Sequence, residues 1–318
     1  MSSNQSTPLG RFLDSDTFDF GRSVEVIGMN GLTFLDALGA AKGGNGGGGG
    51  GGGGGGKPDK PGDGGDGGDG GTLLGSYTSG SQDGTGFNVT IYFSGTWTEA
   101  LQQAFIDAAE LISDIITGDI TDVRYRGETI DDIVIEATLT DIDGPGLTLG
   151  QAGPTVIRTA TYLPAMGIME FDIADAANYD AQGLFNDIVF HEMMHVIGFG
   201  TMWELMGLVD VGQDGSQTFN GVNANLTFDL EFSASALLSI ETEGGPGTAG
   251  GHWNEDGADG FAFENEIMTG YIDGTNYLSN TSVAALEDMG YETIWDASDP
   301  TGATDLIDTT IFTDGLFA

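Results

Sequence analysis

The sequence of 318 residues predicts an α+β fold, with a mixed β-sheet and long helices in its first globular part and loops in its second. Long stretches repeat apolar residues every three or four positions, as one face of a packed helix requires. Shorter stretches alternate apolar and polar residues, as half-buried strands do. Glycine clusters follow at 244–251, where the predicted strands give way to loops.

The predicted elements follow one another from residue 87 onward. A strand at 87–93 alternates strictly, and a helix at 98–116 carries apolar residues at helical spacing before it ends near Gly118. Glycine–proline pairs indicate a loop at 144–154. The remaining predictions are strands at 133–139, 155–162 and 168–173, a helix at 182–198, and a last helix at 280–289.

A low-complexity stretch at 43–71 divides the chain. It contains an unbroken run of eleven glycines at 46–56, followed by Gly-Gly-Asp repeats. Such a stretch cannot offset its ordering entropy by burial, so we expect a flexible linker. The sequence therefore predicts an N-terminal segment at 1–42, which is a candidate propeptide or leader with a short strand or helix. A globular domain at 72–318 follows, with subdomains at about 72–200 and 201–318.

Composition limits the partners and sites. The chain has 49 acidic and 8 basic residues and a formal charge of −41, so we expect no nucleic acid and no anionic membrane as partner. The sequence contains no run of about 18 apolar residues, so it predicts no membrane-spanning helix. The chain lacks cysteine, which excludes disulfides and thiolate metal sites. The Gly-Gly-Asp repeats resemble calcium-binding repeats weakly, because their period is three rather than nine, and calcium stays an alternative.

The most informative motif is formed by His191, Glu192 and His195. Residues four apart lie on one face of a helix, so both imidazoles can bind one metal ion while the glutamate reaches a metal-bound water. A hydrolytic zinc site needs three protein ligands and an open position. The chain has one other histidine, His252, which is 57 positions beyond the second and is the candidate third ligand.

Alternatives remain open for these residues. The histidine pair could belong to the core or the surface, and His252 could be a surface loop residue. Glu204, Glu255 and Asp256 are rival ligands for the third position. If zinc binds, it lowers the pKa of its water toward about 7, and Glu192 is the carboxylate placed to move the proton to a leaving amine.

The motif continues to Gly198, three positions after His195, and so resembles the metzincin zinc endopeptidases. Most metzincins place their third ligand three residues after this glycine, where this chain has Thr201. The long gap to the third histidine is similar to the leishmanolysin branch instead. The segments at 264–269 and 286–291 also resemble the Met-turn and the closing helix of that branch.

The resemblance, which covers residues 87–295, implies a metzincin-type zincin. The N-terminal subdomain would contain a twisted mixed sheet with long helices, and the C-terminal subdomain would be rich in loops. In this family an antiparallel edge strand pairs with extended substrate, and by order it corresponds to residues 155–162. Leishmanolysin is held latent by a propeptide cysteine, which this chain cannot use, so the chain resembles a bacterial-type, cysteine-free relative.

The resemblance also implies roles for individual residues. Met268 could instead be an ordinary core methionine, and Tyr271 a packed aromatic residue that lies one position later than in relatives that use a tyrosine. The implied roles are zinc ligands at His191, His195 and His252, a general base and acid at Glu192, a helix-exit glycine at Gly198, the Met-turn methionine at Met268 and an oxyanion donor or extra ligand at Tyr271.

Together these features predict a secreted zinc metalloendopeptidase that acts on extended protein or peptide substrates. A zinc hydrolase of a non-peptide bond and a catalytically silent surface module are the alternatives. The N-terminus lacks a basic segment followed by an apolar one, so we expect no cleaved signal peptide there. Such an acidic, glycine-rich protease is similar to substrates of one-step bacterial export machinery, which reads a C-terminal signal such as residues 309–318.

Overall fold

The computed structural model describes residues 24–28, 31–35 and 73–308, apart from 82, 143, 146–148, 244–247, 256–262, 264 and 273. The predicted linker and the predicted C-terminal export signal lie outside the described residues. Within the described part of the chain, no helix combines the length and apolar character needed to cross a membrane.

The described residues form a mixed α and β structure dominated by one large sheet. The strands are β1 (Val24–Gly28), β2 (Gly31–Leu35), β3 (Ser76–Thr78), β4 (Val89–Gly95), β5 (Val123–Tyr125), β6 (Glu128–Ile130), β7 (Ile133–Thr140), β8 (Gly150–Arg158), β9 (Pro164–Asp172), β10 (Val209–Val211), β11 (Gln217–Phe219) and β12 (Ser239–Ile240). The helices are α1 (Glu99–Ile115), α2 (Ile173–Gln182), α3 (Phe185–Val196), α4 (Trp203–Met206), α5 (Val222–Glu231), α6 (Asn280–Met289) and a short 3-10 helix (Ala303–Leu306).

The large sheet has seven strands in the order β2-β1-β8-β9-β7-β4-β3. Strands β4, β7 and β9 are parallel neighbours, while β8 is antiparallel to β9 and β3 is antiparallel to β4. The hairpin β1–β2 joins the sheet on the other side of β8, to which β1 is parallel. The described part of the chain therefore confirms the predicted mixed sheet, and its N-terminal segment contributes strands.

Helices α1 and α3 bury their apolar sides in one core with the sheet. Helix α1 begins at the predicted place because the side chain of Thr98 accepts a hydrogen bond from the Leu101 amide. Five aromatic rings interlock between helix and sheet, with neighbouring centroids 5.0–6.4 Å apart, mostly edge to face. These rings belong to Phe93, Trp97, Phe105, Phe171 and Phe185.

The single helix predicted at 182–198 is wrong at its beginning. Helix α2 starts directly after β9, because the Asp172 side chain accepts hydrogen bonds from the Ala174 and Asp175 amides. It ends at Gly183, which has a φ of +76°, the left-handed conformation that stops helices. Helix α3 then runs from Phe185 to Val196. The strand predicted at 168–173 corresponds to β9, which begins earlier, at Pro164, and ends one residue earlier, at Asp172, because α2 follows directly.

Strand β8 begins earlier and ends earlier than the strand predicted at 155–162. Pro154 lies inside it, at a register shift where its missing amide is tolerated. The strand ends at Arg158, whose amide donates to Leu163 O and whose carbonyl accepts from the Tyr162 amide. Tyr162 has a φ of +62°, so it belongs to a tight turn. The prediction of an edge position is corrected as well, because β1 pairs along the outer side of β8.

The second half of the chain contains more regular structure than predicted. Strands β10, β11 and β12 form a small antiparallel sheet, and α5 packs against α6. The two helices cap each other: the Asp288 carboxylate accepts from the Asn223 and Ala224 amides, while the Glu231 carboxylate accepts from the Asn280 and Thr281 amides. Helix α6 has the predicted bounds.

Candidate metal centre

Helix α3 carries the first two histidines on one face. His191 and His195 lie one turn apart, with ring centroids separated by 4.6 Å. Both side chains are buried, as is nearly all of the helix from Phe185 to Val196. A helix that is buried on all sides keeps its side chains in fixed rotamers, so the pair is held rigidly before any ion binds.

The third histidine joins this pair from the second half of the chain. His252 Nε2 lies 3.1 Å from His191 Nε2 and 3.0 Å from His195 Nε2, and the two helical Nε2 atoms are themselves 3.0 Å apart. A tetrahedral zinc ion with bonds of about 2.05 Å spaces its nitrogens about 3.3 Å apart. The three atoms therefore fit one metal ion to within a few tenths of an ångström.

The remaining ring nitrogens determine the tautomer of each histidine. His191 Nδ1 donates to Ile267 O at 2.6 Å, His195 Nδ1 to Phe199 O at 2.9 Å, and His252 Nδ1 to Thr248 O at 2.8 Å. A carbonyl can only accept, so the proton of each neutral ring resides on Nδ1. Each Nε2 therefore presents a lone pair, and the three lone pairs point to one buried position that can hold a cation.

Burial also keeps these imidazoles neutral. Desolvation, helped by the neighbouring His252, lowers the pKa of His191 to about 3. Desolvation lowers the pKa of His252 to about 4, and it holds the pKa of His195 well below its usual value. Neutral imidazole is the form that binds metals, so the set is ready to bind at neutral pH.

Glu192 lies beside the triad without belonging to it. Its Oε1 is 3.9 Å from His191 Nε2, and its Oε2 is buried with no hydrogen-bond partner among the described residues. Burial raises the pKa of this carboxyl well above its ordinary value. A buried carboxyl next to three nitrogen ligands is suited to accepting and releasing a proton, because its environment does not stabilise the charged form.

Two close backbone approaches bring the chain from α3 to the third histidine. Gly198 has a φ of +106°, and a Cβ there would lie 2.9 Å from Met202 Cγ. Gly200 has a φ of +71°, and a Cβ there would overlap the carbonyl of Gly251. The sequence predicts the place of Gly198 at the helix exit but not the contact between Gly200 and Gly251. The glycine pair before His252 was the available signal.

Thr201 has a structural role at the position where most metzincins place a ligand. Its Oγ1 donates to His195 O at 2.8 Å, so it stabilises the carbonyl at the end of α3. Among the rival ligands, Glu204 is exposed, and Asp256 lies outside the described residues. The group that could hold a metal here consists of the three histidines, as far as the described residues go.

The turn around Met268 connects the segment that carries His252 to helix α3. The Met268 carbonyl accepts from the Trp253 amide at 3.0 Å, next to His252, while the preceding carbonyl of Ile267 orients His191. Met268 itself is completely buried. This turn therefore contacts both the segment that carries His252 and the side chain of His191, and its role as a Met-turn stays a prediction.

Glu266 anchors this turn and was missed by sequence reasoning. It is completely buried, and its carboxylate accepts from the Met268 amide, from the Ser279 amide and hydroxyl, and from the Ser282 hydroxyl. Ser282 in turn accepts from Trp253 Nε1 at 2.8 Å. The network fixes the turn, the third-ligand segment and the start of α6 relative to one another.

An aromatic cluster supports the segment that carries His252. Trp253 stacks on Trp203 with centroids 4.7 Å apart and meets Phe199 and Phe219 edge to face at 5.4 Å. All four rings are buried. At the other end of the site, Tyr291 donates its hydroxyl to Ile197 O at 2.7 Å and so clamps the end of α3 from the segment after α6.

Two further features suggested by the sequence are a role for Tyr271 and a calcium site. Tyr271 is half-buried, and its carbonyl accepts from the Thr269 hydroxyl, which does not test a role as oxyanion donor. Calcium has no support in the described residues. One acidic group in the described residues could hold an ion, and it consists of the exposed Asp119 and Asp131 and the buried Asp132. The Asp132 carboxylate already accepts hydrogen bonds from the Asn88 amide at 2.7 Å and the Ile120 amide at 2.9 Å, so its burial does not require an ion.

Three neutral nitrogen donors converge beside one carboxyl group that lies outside the triad, an arrangement that suits a hydrolytic metal site. A purely structural zinc site would need a fourth protein ligand. The arrangement can hold a divalent ion, activate a water molecule and move its proton.

A family model described as leishmanolysin, peptidase family M8, matches residues 155–298. The matched segment contains α3, His252, the turn around Met268 and α6. No curated protein matches the chain. The chain is leishmanolysin-like over the matched segment, which confirms the resemblance that the motifs predicted and supports a metallopeptidase.

Proposed function

We propose that this leishmanolysin-like chain is a zinc-dependent endopeptidase that hydrolyses peptide bonds in extended protein substrates. The observation that carries the proposal is the convergence of three Nε2 lone pairs beside the buried carboxylate of Glu192. The match to leishmanolysin supports the same class of enzyme.

Each residue of the site has a role in the proposed reaction. His191, His195 and His252 hold the ion through Nε2. When bound, zinc would supply a water molecule with a pKa of about 7 and polarise the scissile carbonyl. Glu192 takes a proton from the attacking water and delivers it to the leaving amine, so it acts first as base and then as acid. The buried Met268 forms part of the rigid floor of the site.

The substrate would bind as an added strand. We place it on the outer side of β8, where β1 pairs in this structure, so that the peptide takes the place of β1 and gains backbone hydrogen bonds with little sequence preference. We also propose that the protein is secreted by one-step export, and that residues 72–318 form the catalytic domain. The sequence features and the resemblance to leishmanolysin support these two points.

The test is the cleavage of an unfolded protein substrate by the full-length chain, at high enzyme concentration and over long incubation. Bound metal is measured in the same samples. We expect one zinc ion per chain, cleavage that a chelator stops, and recovery when zinc but not calcium is added back. Absence of cleavage by a chain that holds one zinc ion would contradict the proposal.

A further inference from the structure

We propose that β1 is an intramolecular inhibitor, which occupies the edge of β8 where an extended substrate would dock. The proposal rests on the proposed endopeptidase function. Strand β1 pairs with β8 in parallel, with Glu25 opposite Val156, Val26 opposite Ile157 and Ile27 opposite Arg158.

The pairing uses the backbone groups that a substrate would need. The amide of Arg158 donates to Leu163 O, and its carbonyl accepts from the Tyr162 amide, so both groups are directed away from β1. Successive residues of a strand direct their amides and carbonyls to opposite sides. The amide and carbonyl of Ile157 therefore face β1. A peptide that joined this edge in either direction would need the same two groups, so β1 and substrate exclude each other.

This edge lies next to the segment that follows the histidine helix. The buried side chain of Ile157 packs against Met202, and the partly buried Leu205 and Met206 join the same cluster. Met202 in turn lies at the exit of α3, next to Gly198. A strand added at Ile157 therefore lies alongside the polypeptide that leads away from the second histidine.

The sequence between β2 and the globular domain can serve as a tether for β1. The absence of cysteine excludes latency through a propeptide thiol. Residues 36–72, which include the run of eleven glycines, connect β2 to the globular domain. A strand tethered through a segment of this kind competes at an effective concentration that can reach the millimolar range. The chain has no cysteine, so a propeptide thiol cannot block the metal. Strand addition blocks the substrate edge and leaves the histidines untouched.

A disulfide tests the pairing directly. Because the chain has no cysteine, Val26→Cys combined with Ile157→Cys introduces one pair only, and residues opposite each other in a sheet have the Cα separation that a disulfide requires. We expect the disulfide to form on oxidation. The oxidised protein should cleave an unfolded substrate about tenfold more slowly than the same protein after reduction, the size expected for one or two backbone hydrogen bonds, with its zinc retained.

The matched control shifts the pair out of register. Val24→Cys combined with Ile157→Cys places the two residues two positions apart along the strands, beyond the reach of a disulfide. This protein should remain uncrosslinked, and its activity should not respond to reductant.

A proline pair tests inhibition without touching β8. Gly28 pairs with Gly31 at the end of the ladder, with two residues between them in the chain, and at this spacing the closing pair is hydrogen-bonded. The neighbouring pair, Ile27 and Leu32, therefore directs its amides outward. Ile27→Pro removes an amide that faces β8, whereas Leu32→Pro removes one at the side of β2 that faces away from β1. We expect the first substitution to raise kcat/KM about tenfold and the second to leave it at the wild-type value.

The outcomes separate this proposal from the peptidase proposal. A disulfide that fails to form would overturn the pairing. A disulfide that forms without slowing cleavage, or equal rates for Ile27→Pro and Leu32→Pro, would overturn inhibition. If no form cleaves while zinc is bound, the peptidase proposal fails and inhibition with it, whereas crosslinking still reports on the pairing alone.

Discussion

Glu192 is buried beside three histidines, and its Oε2 has no hydrogen-bond partner in the described part of the chain. Burial of an unpartnered carboxylate is unfavourable, so a neutral side chain of similar size would stabilise the fold at least as well. Its pKa is raised for the same reason. The proposed proton-transfer role would account for a carboxyl at this position, because such a role needs a carboxyl group that is not already engaged.

The first prediction concerns Glu192→Gln. We expect the variant to bind one zinc ion, because the three imidazoles are unchanged, and to lose a factor of about 10²–10⁴ in kcat, the range for general acid–base catalysis. Zinc content and peptide cleavage are measured on the same sample.

The matched control for this variant is Glu204→Gln. It makes the same chemical change at an exposed glutamate of α4, and its kcat should equal that of the wild type. A Glu192→Gln protein that cleaved peptides at the wild-type rate would show that the assigned base is wrong.

Residue by residue, the sequence predicted the side chains that face the proposed ion better than those that support them. His191, Glu192 and His195 follow from a local spacing, because a helix converts that spacing into a common face. Glu266 and Ile267 could not be recognised, since their partners lie on other segments of the chain. Only the folded structure shows that a buried carboxylate fixes the turn that orients a histidine.

At the scale of elements, the exit of α3 decides whether the third histidine can reach the site. The chain turns at Gly198, passes Gly251 at Gly200, and is clamped by the hydroxyl of Tyr291 on Ile197. Each of these contacts lies within a few residues of His195. A change in the direction of the chain here would separate the third ligand from the first two.

The second prediction concerns Gly198→Ala. A side chain there must adopt a φ of +106° and would lie 2.9 Å from Met202 Cγ and 3.1 Å from Met289 Cε. We expect the free energy of unfolding to fall by about 2–4 kcal/mol, the sum of backbone strain and overpacking, and zinc affinity to fall with it. Denaturant unfolding and zinc titration measure the two effects.

Gly127→Ala is the control for the backbone term. Gly127 has a similar φ of +95° with nothing within 4 Å of its Cβ position, so the change should cost only about 1 kcal/mol and leave zinc affinity unchanged. Equal losses of unfolding free energy in the two variants would mean that the close contacts at Gly198 do not contribute to the loss.

The elements that the sequence predicted well are those with local signals. Helix α6 has the predicted bounds because its cap, its apolar face and Gly290 all coincide. Helix α2 was missed, although Asp172 is a typical cap, because β9 continues into it without a loop. The small sheet β10-β11-β12 could not be predicted, because each of its strands has only two or three residues and depends on its neighbours.

For the whole molecule, the described apolar core extends over residues 87–303. The N-terminal hairpin contributes two strands at one margin of the sheet. The core stabilises the globular domain, while the hairpin is proposed to control access to β8.

The third prediction concerns deletion of residues 1–71. We expect residues 72–318 to stay folded and to bind zinc, with a thermal midpoint within about 4 °C of the full chain, the shift that corresponds to roughly 1 kcal/mol in a domain of this size. Calorimetry and zinc content are the measurements. Aggregation, or loss of the cooperative transition, would show that the first 42 residues are needed for the fold as well.

The hydrogen bonds that orient the three histidines all end on main-chain carbonyls, those of Ile267, Phe199 and Thr248. Every amino acid carries such a carbonyl, so substitutions at these positions preserve the acceptor as long as the backbone path is kept. The outer support of the site can therefore drift in evolution while the ligands stay in place. Relatives of this protein should be identifiable by their backbone geometry where the supporting side chains have diverged.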